Sequence, residues 1–238
     1  MGEDNFLIDD ILVPYIIAEE KDYLIVFKPP RMHSAPLVKS EGRNIVEWCN
    51  KSFPEIMDLP GRKTGEGGLL HRLDFETQGL IIIARTKEGM NALLLQQSEG
   101  KIAKEYNALA AESLSYMVGF PAEKPKLPLI KSSYRSFGPG SKETRPVLGD
   151  TYTTEILENK SIADGLVSFR VRIVKGFRHQ IRCHLAWLGQ PILNDKIYGK
   201  ISYGNGLLAL RATSLSFFDP SSGQKRNYSI PQLEPHEI

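Results

Sequence analysis

A mixed-sheet α+β fold is what this chain of 238 residues predicts. Short apolar runs rich in β-branched residues, such as Leu80-Ile81-Ile82-Ile83-Ala84, read as buried strands. Between such runs lie stretches with apolar residues at helical spacing, as after Thr86 and after His179. The two kinds of segment alternate without the strict βαβ rhythm of a doubly wound parallel sheet, which points to α+β.

Taken in order, Tyr23-Leu24-Ile25-Val26-Phe27 reads as a buried strand. Lys28-Pro29-Pro30 stops it, because two prolines cannot continue a sheet ladder. Residues 44–52 fit a short helix with a loose apolar face of Ile45, Val46 and Trp48. Residues 54–68 contain Pro54, Pro60, Gly61, Gly65, Gly67 and Gly68 and read as loop. Residues 80–84 form the next strand. Thr86 can then cap a helix whose apolar side is Met90, Leu93 and Leu94, with Gly100 at its end.

Residues 101–110 read as a strand with Lys104 and Tyr106 on one face, since side chains repeat every second residue. Residues 119–150, rich in Pro, Gly, Ser and Lys, predict a long irregular excursion that includes Tyr134, Arg135 and Arg145. Residues 167–174 alternate, with Phe169, Val171 and Ile173 on one face and Ser168, Arg170 and Arg172 on the other. Lys175-Gly176-Phe177-Arg178 makes a turn. Residues 179–188 then predict a helix with Ile181, Leu185 and Leu188 at helical spacing and Gly189 as its stop.

Bulk properties bound the function classes. A hydrophobic fraction of 41% and a charged fraction of 24% are ordinary for a soluble globular protein. With a net charge of only +2, any nucleic-acid partner must be met by a local concentration of basic groups. Cys49 and Cys183 match no metal-ligand spacing and supply no disulfide framework, which suits a reducing cytoplasm. The start, Met1-Gly2-Glu3-Asp4-Asn5, is acidic and opens no signal sequence. No apolar stretch approaches the roughly 18 residues a membrane span needs.

Two constellations carry chemistry. His71-Arg72-Leu73-Asp74 sits on a loop with glycines before it and a core strand after it, where scaffolds commonly hold catalytic groups. Arg72 could keep the Asp74 carboxylate ionised; an ordinary surface turn with a weak ion pair fits the residues equally well. Further on, Arg170, Arg172, Lys175, Arg178 and Arg182 put five cations within thirteen residues, together with His179 and His184. That is a phosphate-binding surface or, more commonly for a charge run, a solvated face.

The motif His71-Arg72-Leu73-Asp74-x-x-Thr77-x-Gly79-Leu80 resembles the central signature of the RluA-type pseudouridine synthases, which isomerise uridine in RNA. It departs from the usual pattern at Glu76, where Asp is common, and at Gln78, where Ser is common. Gly176-x-x-His179-Gln180-Ile181-Arg182-x-His184-Leu185-x-x-Leu188-Gly189-x-Pro191-Ile192-x-x-Asp195-x-x-Tyr198-Gly199 resembles the family's other long signature. Here Phe177-Arg178 replaces the usual Arg-Thr, so a contact normally made by the first Arg is expected to be lost or displaced. Lys104-Glu105-Tyr106-x-Ala108-Leu109 is similar to a third segment. So is Lys28-Pro29-Pro30, where Arg31 stands in place of the expected Gly. Leu208-x-Leu210-Arg211-Ala212-x-x-Leu215-x-Phe217 is similar to the terminal strand, with Arg211 where His is frequent. The matches run in order from about residue 15 to residue 230.

The resemblance implies a pseudouridine-synthase-like α+β fold, a mixed, mainly antiparallel sheet flanked by helices and loops. It implies that Asp74 is the catalytic residue, that Arg182 pairs with and orients it, and that Tyr106 lies against the target base. Arg72 is implied to help extrude the nucleotide and occupy its vacated place. His71, Thr77, Lys104, Arg178, His179, Gln180 and Ile181 are the remaining expected substrate contacts. The reaction involves no redox change or net hydrolysis, so no cofactor and no metal are expected. The implied partner is RNA, ribosomal or transfer, handled by a cytoplasmic monomer, with neither DNA nor membrane expected.

Residues 1–14 read as an N-terminal extension and 15–238 as the catalytic domain. The Lys-Pro motif begins by residue 28, leaving no room for an N-terminal S4 RNA-binding domain. RNA recognition is then expected from the catalytic domain itself, with residues 119–150 as the first reader. A second enzymatic reading takes Asp74 and Glu76 as paired carboxylates holding a metal for phosphodiester hydrolysis, although no further acidic ligands gather in the motifs. A third takes the chain as a binding protein that keeps the fold without chemistry.

Overall fold

The computed structural model describes residues 13–37, 44–112, 120–121, 123–137, 143–146, 151–162 and 165–238. In chain order its elements are β1 (Tyr15–Glu19), β2 (Tyr23–Lys28), α1 (Ile45–Asn50), β3 (Gln78–Ala84), α2 (Lys87–Ser98) and β4 (Ala103–Ala111). There follow β5 (Leu129–Ser132), β6 (Tyr134–Phe137), β7 (Glu143–Pro146), β8 (Tyr152–Ser161) and β9 (Leu166–Ile173). Last come α3 (Gln180–Leu188), β10 (Leu210–Phe218) and β11 (Lys225–Ser229). Strands and a few helices in this order are the α+β class the sequence predicts. The chain divides into two compact units, Met1–Ile102 with Ser214–Ile230 and Ala103–Thr213 with Pro231–Ile238. Among the described residues no helix is long and apolar enough to cross a membrane.

In the first unit β2 pairs antiparallel with β1 on one side and β3 on the other. All six residues of β2 and all seven of β3 are buried, which explains why both read as continuous runs rather than alternations. Their register sets Lys28 opposite Gly79, so β2 ends beside the loop that enters β3. The core there gathers Tyr23, Ile25, Leu80, Ile82, Met90, Leu93 and Phe217. Thr86 caps α2 by accepting the Gly89 N–H, and its hydroxyl donates to Asp22. The stretch expected to be pure loop contains one 3-10 turn, Pro54–Asp58, with Pro at its favoured first position.

The second unit holds an antiparallel sheet in the order β4, β9, β8, β5 and an antiparallel ribbon of β6 and β7. The expected irregular excursion over 119–150 therefore carries three short strands. They escape a reading by pattern because each has only four residues, too few to establish a period, and prolines and glycines surround them. Strand β8 was hidden for another reason. Only Thr154 and Ile156 of its ten residues are buried, so its alternation is mostly polar.

Candidate active site

The first unit holds Asp74 on a turn whose backbone is gripped from three directions. The Thr77 N–H donates to the Asp74 carbonyl at 3.1 Å and closes the turn. Ser34 accepts the Leu73 N–H at 3.0 Å and donates to the Leu73 carbonyl at 2.9 Å. The Lys28 ammonium, with no exposed surface, donates to the carbonyls of Pro29 and Met32 at 2.8 Å and of Phe75 at 3.2 Å. Asp74 itself is half-buried between these fixed points. Burial pulls Lys28 down to about 7, while the charges of Asp74 and Glu76 push it back up. Three carbonyl acceptors match the three N–H bonds of an ammonium, the form Lys28 takes in this turn below about pH 7.

The other residues of the central motif are placed individually. His71 is buried and its Nε2 accepts the Ile82 N–H at 3.3 Å, so the ring is tied to β3. Arg72 is exposed and donates to Glu66 at 3.3 Å, and the Glu66 side chain is only 7% exposed. The surface ion pair that the sequence allowed is thus made with Glu66. Thr77 is buried, and its hydroxyl has no partner among the described residues. Phe75 packs its ring against His33 at 4.5 Å.

Arg31 has φ of +57°, in the left-handed region that suits glycine. This is the position at which the sequence departs from the expected Lys-Pro-x-Gly pattern. Arg31 lies between Pro29 and Met32, whose carbonyls both accept from the Lys28 ammonium.

In the second unit the turn before α3 ends at His179, whose φ of +62° is unusual for a residue with a side chain. Its buried ring lies 2.9 Å from the Tyr198 hydroxyl. Gln180 is buried and donates to the Thr153 carbonyl and the Thr154 hydroxyl, at 3.0 and 3.1 Å, and accepts the Phe177 N–H. Ile181 is buried in the core. Arg182 is buried and donates through Nε and Nη2 to the two oxygens of Asp195, at 2.7 and 2.8 Å. Its guanidinium also lies 5.4 Å from the Tyr198 ring centre. Arg178 is exposed. His184, fully buried and held neutral because burial pushes it down to about 3, sits 2.8 Å from the Thr154 hydroxyl.

On β4, Lys104 and Tyr106 are both buried and share a face, while Glu105 turns to the other side. There Glu105 meets Arg172 at 2.8 Å and Arg170 at 3.5 Å. Glu155 and Glu158 add further carboxylates to these two arginines. With Arg182 on Asp195, three of the five clustered cations are already paired. The cluster as a whole is therefore not an open phosphate surface. The side chains of Tyr134, Arg135 and Arg145 lie outside the described residues.

Sequence reasoning gave no role to Glu66 or Asp195 and left Lys28 as a bare motif match. Asp195 and Tyr198 both stand in the second signature, which was the available signal. Among the described residues no group of three or more His, Cys, Asp or Glu side chains is arranged to hold a metal ion.

The family model for RNA pseudouridylate synthase matches residues 22–187. An uncharacterized RNA pseudouridine synthase of Helicobacter pylori is 28% identical over 236 residues, covering 92% of this chain and 66% of that one. Ribosomal large subunit pseudouridine synthase D of Yersinia pestis is 26% identical, covering 87% of this chain and 64% of that protein. The chain thus spans just under two thirds of the length of these relatives. Among solved structures, human RNA pseudouridylate synthase domain containing 1 is similar with a TM-score of 0.61 at 19% identity, covering 93% of this chain and 84% of that chain. At that identity the likeness speaks for a shared fold.

Proposed function

Since the chain belongs to the RNA pseudouridylate synthase family, of the RluA type, we propose that it isomerises specific uridines of ribosomal or transfer RNA to pseudouridine. Large-subunit ribosomal RNA is the first substrate to test, because the Yersinia pestis relative is named for it. The reaction breaks the C1′–N1 bond, turns the uracil, and joins C1′ to C5, from which a proton is lost. In this reading Asp74 attacks C1′ or removes the C2′ proton to give a glycal. Arg182 is its cationic partner, Tyr106 lies at the base and receives the C5 proton, and Arg72 takes the place of the extruded nucleotide.

The observation that carries the reading is the pinning of the Asp74 turn by Lys28, Ser34 and Thr77. A nucleophile must stay within a fraction of an ångström of its target, and a turn gripped on both flanks holds it there before substrate arrives. Simple RNA binding has no use for such rigidity at one carboxylate.

The test is proton release from C5. RNA transcribed with uridine tritiated at C5 is incubated with wild-type protein and with Asp74→Asn. Wild type is expected to release tritium, and Asp74→Asn to release none while binding RNA with little change in affinity. Release by the variant at the wild-type rate would remove Asp74 from the chemistry. Cleavage of the RNA that disappears with EDTA would instead favour the metal-dependent reading.

A further inference from the structure

In the second unit, Pro121, Glu123, residues 124–129, Lys131 and Trp187 of α3 line a groove of about 600 Å³. Lys124, Lys126 and Lys131 stand exposed along it. Among the described residues none of these three ammonium groups has an ion-pair partner. That contrasts with Arg170, Arg172 and Arg182, each of which faces a carboxylate. Leu127 and Leu129 line the same groove and are 44% and 43% exposed. The alternation of β5 points Leu129 and Lys131 outward and buries Ile130 and Ser132.

The groove is also anchored. The Trp187 indole N–H is shared between the carbonyls of Pro121 and Glu123, each at 3.0 Å, and its ring stacks on Phe120 with centroids 4.8 Å apart. Trp187 lies on the helix that carries Gln180, Ile181 and Arg182. The wall of the groove is thereby fixed to that helix.

We propose that this groove seats the sugar-phosphate backbone of the substrate RNA, outside the target nucleotide. The proposal rests on the reading of the protein as an RNA-modifying enzyme. Lysine ammoniums on flexible stems serve as point charges for phosphates and lack the rigid fork that reads a base edge. The exposed leucines offer apolar contact to ribose and base faces. Binding here is therefore insensitive to sequence and strongly dependent on salt.

The experiment compares wild type with the triple variant Lys124→Ala, Lys126→Ala, Lys131→Ala. All three side chains are exposed, so the melting temperature is expected to stay unchanged and serves as the control. RNA affinity is measured from low to moderate salt by fluorescence anisotropy. Losing three phosphate contacts is expected to reduce the slope of log affinity against log salt by about 2. In turnover the KM is expected to rise at least about tenfold, by analogy with other multi-phosphate contacts, with kcat unchanged. An unchanged salt slope overturns the proposal, as does a fall in kcat with KM preserved. Weakened binding of polyglutamate with RNA affinity intact also overturns it, because the groove would then serve an acidic peptide. If wild type binds RNA with the steeper slope yet modifies none, the groove stands and the proposed activity fails.

Discussion

Arg182 sets its Nε and Nη2 against the two oxygens of Asp195 at 2.7 and 2.8 Å, with both side chains buried. Asp195 Oδ1 also accepts the N–H groups of Ile197 and Tyr198. A fork gripped in this way has little rotational freedom, so Asp195 positions Arg182 for any further partner. Asp195→Asn leaves the guanidinium buried without its counter-charge, and the expected loss is about 3 kcal/mol. Adding Arg182→Met removes the stranded charge and is expected to restore part of that loss. Urea unfolding of the single and double variants checks both points. If the double variant is less stable by the sum of the two single losses, the pair is not coupled.

Arg31 occupies left-handed backbone with φ of +57°. Its ion pair with Glu76, at 3.9 Å, joins two solvent-accessible groups and contributes little. Arg31→Gly relieves the steric cost of that conformation and is expected to stabilise the fold by about 1 kcal/mol. Thermal and urea unfolding would show it; a destabilised variant would mean the Arg31 side chain matters more than its backbone.

Lys28 gives a pH signature. Its folded value is lowered from 10.5 to about 7, so between those values the unfolded chain holds a proton that the folded chain has released. Stability from this group is complete above about 10.5 and is lost as pH falls toward 7. The slope is at most about 1.4 kcal/mol per pH unit. Relative to Lys28→Met, wild type is expected to gain about 2 kcal/mol between pH 7.5 and 9.5, within the ceiling set by that slope. Parallel stability curves for the two proteins would refute it.

His184 acts on the acid side. Burial lowers it from 6.5 to about 3, and its Nε2 has no hydrogen-bond partner among the described residues. The unfolded chain takes up a proton as pH falls below 6.5 and the folded chain does not. Stability from this group is therefore present above 6.5 and lost toward pH 3. Its rings of contact are Phe120 and Phe177, so phenylalanine is a compatible replacement. His184→Phe is expected to lose about 2 kcal/mol less than wild type between pH 6.5 and 4.5, from the same per-unit slope. Chemical denaturation at the two pH values measures the difference.

The sequence by itself determined the α+β class, the buried strands β2 and β3, the Thr86 cap and both long signatures. These depend on features a few residues apart: an apolar run, a cap three positions before its acceptor, a motif read in order. It could not show that Arg170 and Arg172 are neutralised, because Glu105, Glu155 and Glu158 reach them only through the registers of β4, β8 and β9. Nor could it show that Lys28 is buried, since a lysine after an apolar run reads as the strand's exit into water. Only the tertiary structure put that ammonium under the Asp74 turn, by pairing Lys28 with Gly79 across β2 and β3. It likewise decided that Arg72 faces Glu66 and Arg182 faces Asp195. The physical reason is the same in each case: propensity and period are local properties of the chain, whereas the partner of a charge is chosen by strand register and packing.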